Sequence, residues 1–162
     1  RTIVLNGVSK AYSMTGWRIG YAAGPQPLIA AMKKIQSQST SNPTSIAQVA
    51  AQAALEGDQQ CVKDMVKVFK QRHDYMVKAL NEIDGIECLA GDGTFYVFPD
   101  FSDMQAKLGC ETDTDLAEKL LEAGVALVPG SAFGTPGHMR ISFATSDENL
   151  QKAIERLTAA LA

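Results

Sequence analysis

Cysteine and histidine are scarce in this sequence, and neither is spaced for chemistry of its own. The three cysteines, Cys61, Cys88 and Cys110, are an odd number and contain no C-x-x-C. That excludes a disulfide framework and a zinc knuckle; reduced thiols in a cytoplasmic protein are the simple account. The two histidines, His73 and His138, stand far apart, and no metal site is expected. An excess of either charge is also missing: 15 Lys and Arg face 18 Asp and Glu, a net charge of −3. Nothing in that balance attracts nucleic acid or an anionic membrane. No apolar run approaches the length of a membrane-spanning helix, and no signal-peptide pattern follows Arg1.

What is present is a soluble globular balance, 46% hydrophobic and 20% charged over 162 residues. That is the size of one ordinary domain or two small pieces. Two short apolar runs, at 2–5 and 19–23, read as strands, the first of them buried. Gly24-Pro25-Gln26-Pro27 breaks the chain and starts a helix that carries Leu28, Ile29, Met32 and Ile35. The polar stretch Ser37 to Thr44 follows, then an Ala-rich helix from Ser45, with Gln48 placed for a capping box, to Gly57. The longest periodic segment predicts a helix over about 58–82, with Val62, Met65, Val66, Phe69, His73, Met76, Leu80 and Ile83 on one face.

Beyond it, two apolar runs around Gly91-Asp92-Gly93 predict a hairpin. Thr112 with Asp115 opens a helix whose buried face holds Leu116, Leu120 and Leu121, and Val125–Val128 is a short strand. Met139, Ile141 and Phe143 alternate with Arg140, Ser142 and Ala144, so Arg140 should point away from the core. Ser146 caps a last helix with Leu150, Ile154, Leu157 and Leu161 inward. The order from residue 57 is α-β-β-α-β-β-α, a self-contained two-layer unit around a small mixed sheet.

The segment Ser9-Lys10-Ala11-Tyr12-Ser13-Met14-Thr15-Gly16-Trp17-Arg18-Ile19-Gly20-Tyr21 concentrates the chemistry. It puts a hydroxyl, an amine and a guanidinium on one loop. A lysine amine can condense with a carbonyl, and an arginine with a serine can hold a phosphate. Pyridoxal phosphate carries both groups, so one loop could hold both of its ends. The plainer alternatives stand beside this: a lone lysine is usually a solvated surface charge, and glycines such as Gly16 and Gly20 also serve turns. From spacing alone Arg140 reads as a surface arginine paired with an acid such as Glu148.

SKAYSMTGWRIGY resembles the lysine region of class I pyridoxal-phosphate-dependent aminotransferases, closest to bacterial aspartate aminotransferase-like enzymes. The resemblance continues through SNPTSIAQ at 41–48, GTFYVFPDF at 93–101, VPGSAFG at 128–134 and MRISFATSDENL at 139–150. It implies that Lys10 is the Schiff-base and proton-transfer lysine. Ser9 and Arg18 would bind the cofactor phosphate, and Arg140 the substrate α-carboxylate. The fold implied is α/β, the C-terminal part of a fold type I transferase. Residues 1–56 would be the end of the large cofactor-binding domain and 57–162 a complete small domain entered by the long helix.

A full enzyme of that family is more than twice this length, so the chain would be an inactive C-terminal fragment. The residues that serve the cofactor ring would lie upstream. The parent would be a homodimer acting on amino-acid and 2-oxo-acid substrates. Ser37–Thr44 is either a reach toward the partner's site or a solvent loop. A lyase or synthase of the same cofactor class, or an aminotransferase-like effector domain of a transcriptional regulator, are the alternatives.

Overall fold

Strand β1 (Val4–Gly7) lies antiparallel to strand β2 (Gly20–Ala23), in the register Val4↔Ala23 and Gly7↔Gly20. The lysine loop closes the two into a ribbon. The computed structural model describes residues 2–161 and divides the chain into two compact units, Arg1–Met65 and Val66–Ala162. In the first unit, helix α1 (Gln26–Ser39) and helix α2 (Ser45–Glu56) follow the ribbon. Pro27 sits in the first turn of α1, where its missing N–H costs no hydrogen bond.

The buried centre of this unit is small: Val8, Ile19, Ala47 and Ala51, with Tyr12 and Met14 against them. The first strand is not buried as its apolar run predicts, for Leu5 is 73% exposed. Helix α1 buries none of its residues, although Leu28, Met32 and Ile35 share a face. Two strands and two helices are too few layers to cover their own apolar sides. The polar stretch is also partly helical, since α1 continues through Ser39. Helix α2 takes Thr44, not Ser45, as its N-cap, and no side chain caps it. Gln48 donates instead to the Pro43 carbonyl at 2.7 Å.

Helix α3 (Gln60–Asn81) opens in the first unit and continues into the second. The division falls between Met65 and Val66, inside this helix. The second unit then places strand β3 (Tyr96–Val97), helix α4 (Ser102–Lys107), helix α5 (Asp113–Glu122), strand β4 (Val128–Pro129), strand β5 (Met139–Ser142) and helix α6 (Asp147–Leu161). The sheet order is β3-β5-β4, with Val97↔Ile141 and Pro129↔Met139 as partners. Both pairings are antiparallel, so the expected mixed sheet is not formed.

The expected hairpin also dissolves. Residues 86–90 form no strand, and a single bridge, Glu87↔Asp100, ties the first run to a residue beyond the second. The backbone of Cys88 is held by a side chain instead. Asn81 accepts from the Cys88 N–H and donates to the Cys88 carbonyl, both at 2.9 Å.

One core unites this unit. Met76 and Leu80 of α3, Leu116 and Leu120 of α5, and Leu150, Leu157 and Leu161 of α6 meet Met139, Ile141 and Phe143. Leu121 falls outside it, exposed on the far side of α5. No helix among the described residues is long and apolar enough to cross a membrane.

Candidate active site

The lysine loop is pinned at its ends and open at its tip. Val8 and Ile19 are buried, whereas Lys10 and Arg18 are exposed and Ser9 is half-buried. Three backbone bonds fold the tip into successive turns: Ser13 N–H to the Lys10 carbonyl, Met14 to Ser9, and Trp17 to Met14. Ser13 and Arg18 both take left-handed backbone conformations, at φ 54° and 53°. Non-glycine residues held there carry strain that the surroundings must sustain. The surroundings here are specific. Tyr12 donates to Gln59 Oε1 at 2.8 Å, and Gln59 in turn donates to the carbonyls of Ala54 and Gly57 at the end of α2. Arg18 Nη1 donates to the Thr15 carbonyl at 3.0 Å, holding the guanidinium on the loop. The loop thus presents an amine, a guanidinium and a hydroxyl from a backbone that is fixed from behind.

Arg140 belongs to the second unit. The alternation of β5 buries Met139, Ile141 and Phe143 and leaves Arg140 half-buried on the opposite face. Its guanidinium carbon lies 4.9 Å from the centre of the Phe133 ring and 5.6 Å from that of Tyr96. Such ring faces attract a cation and shed water from it. No acidic side chain pairs with Arg140 among the described residues, and Glu148 is taken by Lys152 at 2.6 Å. A guanidinium against two aromatic rings, with no acidic partner among the described residues, can receive a carboxylate in a two-bond fork.

Comparison with known proteins decides the family. The description "Aminotransferase class I and II" matches residues 1–157. The chain belongs to the class I and II aminotransferases. It is 54% identical to the aspartate/prephenate aminotransferase of Nitrosomonas europaea over 99% of its own length and 42% of that protein's. The crystal structure of the aspartate aminotransferase from Rhizobium meliloti matches 99% of the chain and 42% of its own, at 49% identity and a TM-score of 0.92. The Thermus thermophilus aspartate aminotransferase with maleate matches 98% of the chain and 41% of its own, at 42% identity and a TM-score of 0.87. The chain therefore spans about 40% of the length of the aminotransferases it matches. Its α/β fold is that of their C-terminal part.

Among the described residues, no group of three or more His, Cys, Asp or Glu is placed to hold a metal ion. What single-sequence reasoning did not find is the support around each charged group. Tyr12 lies inside the lysine segment, but its partner Gln59 carries no sequence signal. Phe133 and Tyr96 sit in the blocks VPGSAFG and GTFYVFPDF, yet nothing in their spacing announces that both rings reach Arg140.

Proposed function

We propose that this chain is the C-terminal part of a pyridoxal-phosphate-dependent aminotransferase that moves an amino group between an L-amino acid, aspartate first among candidates, and a 2-oxo acid. The observation that carries the reading is Arg140, a guanidinium against two aromatic rings and without an acidic partner among the described residues. Every amino-acid and oxo-acid substrate brings the carboxylate that this site lacks. The names of the relatives and the maleate of the Thermus enzyme favour a dicarboxylic substrate.

The residues of the lysine loop fit the cofactor by the chemistry of their donors: an amine for its aldehyde, and a guanidinium with a hydroxyl for its phosphate. Bound there, the cofactor supplies an electron sink for cleavage of the substrate Cα–H bond. The chain's own part in the reaction is then specific. Arg18 and Ser9 hold the phosphate, and their loop keeps its shape because Tyr12 and Gln59 brace it from behind. Lys10 Nζ would take the proton from the substrate Cα and deliver it to the carbon that was the cofactor's aldehyde, acting first as general base and then as general acid. Arg140 binds the α-carboxylate in a two-bond fork and so fixes which face of Cα meets that amine.

Residues 1–56 are read as the end of the large domain and 57–162 as the small domain. The parent is read as a cytoplasmic homodimer, and the chain alone as inactive. The test is made on the full-length enzyme. Borohydride reduction should fix pyridoxal phosphate on Lys10, and Lys10→Ala should abolish transamination. Covalent cofactor on another lysine, or transamination retained without Lys10, would overturn the reading.

A further inference from the structure

Asp113 is the one charged side chain that is buried among the described residues, at 3% exposure. It stands at the first position of α5, directly after the Thr112 cap. Its carboxylate looks away from that helix: Oδ2 accepts the backbone N–H of Ser131 at 2.7 Å. Ser131 lies in the short 3-10 turn Gly130–Phe133, and that turn carries the Phe133 ring to the Arg140 guanidinium.

We propose that Asp113 is a positioning residue of the carboxylate site, which sets the Gly130–Phe133 turn and through it the aromatic wall on Arg140. The inference rests on the reading of Arg140 as the carboxylate-binding residue.

The turn has two anchors. One is the sheet: Gly130 N–H donates to the His138 carbonyl at 2.7 Å, and Thr135 N–H donates to the Gly130 carbonyl at 3.0 Å. Gly130 must be glycine for this, since a Cβ there would run into the Thr135 and His138 carbonyl oxygens. That anchor fixes where the turn leaves the strand but not how its far side is rotated. The second anchor is Asp113, which holds Ser131 from the side of α5. A hydrogen bond to an ionised acceptor is stronger than one between neutral groups. It also gives the buried carboxylate a partner, without which its burial would be costly.

Phe133 is two residues beyond Ser131, and Gly134 N–H donates to the Ser131 carbonyl at 3.1 Å, so the placement of Ser131 is passed on to the stretch that carries the ring. Releasing Ser131 therefore frees the ring to rock while leaving β5 and Arg140 in their strand register. The Phe98 ring, 6.0 Å from Phe133 at 86°, limits that movement from the other side but does not replace the bond.

The test uses the full-length holoenzyme and five variants: Asp113→Ala, Asp113→Asn, Phe133→Ala, the Asp113→Ala/Phe133→Ala pair and Arg140→Ala. Asp113→Ala should raise KM for both the amino acid and the oxo acid about tenfold, because small misplacements of an orienting group are expensive in rate and binding. It should weaken maleate binding in parallel and leave kcat and the cofactor spectrum closer to wild type. Asp113→Asn keeps an acceptor at the same place without the charge, so its KM should rise only about two- to threefold. Adding Asp113→Ala to Phe133→Ala should change KM little, since both act on one wall and such effects are not additive.

A purely structural role would lower the folded fraction and the apparent kcat, leave KM alone and give additive losses with Phe133→Ala. That result overturns the proposal. If Asp113→Ala does not fold, the Asn variant decides: an unchanged KM and unchanged maleate affinity overturn it. If Arg140→Ala itself leaves KM unchanged, the carboxylate reading fails and the role of Asp113 fails with it. If Arg140→Ala raises KM but Asp113→Ala does not, only the role of Asp113 fails.

Discussion

Two side chains of the same type can do opposite work, and the difference lies in what surrounds each atom. Arg72 and Arg140 are both partly buried arginines, but Arg72 gives its Nε to Asp147 at 2.7 Å, whereas Arg140 has no acidic partner among the described residues and lies against the Phe133 and Tyr96 rings. The first pair has its acid, Asp147, exposed to solvent, and such a pair contributes little. The second leaves binding capacity for an external acid. In the full-length enzyme Arg140→Ala should therefore raise KM for every amino-acid and oxo-acid substrate, with a loss of about 2–5 kcal/mol in transition-state binding. Arg140→Lys should recover little, since an ammonium lacks the planar fork. Steady-state kinetics with aspartate and one neutral amino acid check this, and near-wild-type values with both would sink it. The cysteines make a second contrast. Burial pushes the Cys88 thiol up to about 11, while Cys61 is exposed. A thiol-alkylating reagent at pH 8 should modify Cys61 in the folded chain and spare Cys88, because the thiolate is the reactive form. Peptide mapping showing Cys88 labelled first would contradict the burial.

At the scale of elements, helix periodicity and the alternation of β5 are legible in the sequence, and the partners of the short strands are not. Thr112 with Asp115 predicted the start of α5, and the structure forms the full box: Thr112 Oγ1 accepts the Asp115 N–H at 3.2 Å while Asp115 accepts the Thr112 N–H at 2.8 Å. Thr112→Ala should cost about 1 kcal/mol in urea unfolding, the usual value of an N-cap oxygen; no change would mean that water replaces the box without loss. The hairpin around Gly91-Asp92-Gly93 was misread because apolar runs on either side of a turn do not say which strand each will join. Tyr96 and Val97 pair with β5 instead, a partner more than forty residues away that no local pattern reveals. Helix α4 was missed because six residues give periodicity too little length to register. Its start is tied by Asp100, which accepts the Ser102 N–H at 2.8 Å. Bonds from Ser102, with His138 adding a smaller attraction, hold this carboxyl below the ordinary carboxylate range against the opposing effect of burial. A lowered folded value means that the unfolded chain binds more protons, so the contribution is complete above the ordinary carboxylate pKa and is lost as pH falls through the folded one. The stability gap between wild type and Asp100→Asn should accordingly be present at pH 7 and shrink at pH 3. A gap independent of pH would show that the charge does nothing there.

On the whole chain the two units differ in how much they bury, and that difference follows from their element counts. The second has helices on a three-stranded sheet and one continuous core that runs from Met76 to Leu161. Its class and inward-facing residues were readable because each helix face and the alternation of β5 were complete within the sequence. The first has four buried core residues among those described and a two-stranded ribbon. Its first strand reads as buried because apolar runs report what a segment would cover, not whether the covering layer is present. Ile35 of α1 is 71% exposed although its spacing is that of a core position. Helices draw most of their stability from packing rather than from propensity. Helix α1, with no buried residue, has little of that support, whereas α5 buries Leu116 and Leu120 almost completely. Local opening should therefore separate the two: in the isolated 162-residue chain, amides of α1 should exchange with solvent orders of magnitude faster than those of α5. Hydrogen exchange read by mass spectrometry on peptides covering 26–39 and 113–122 measures this directly. Equal protection of the two peptides would mean that α1 is held by something other than burial, and the account of the first unit as an uncovered layer would fall.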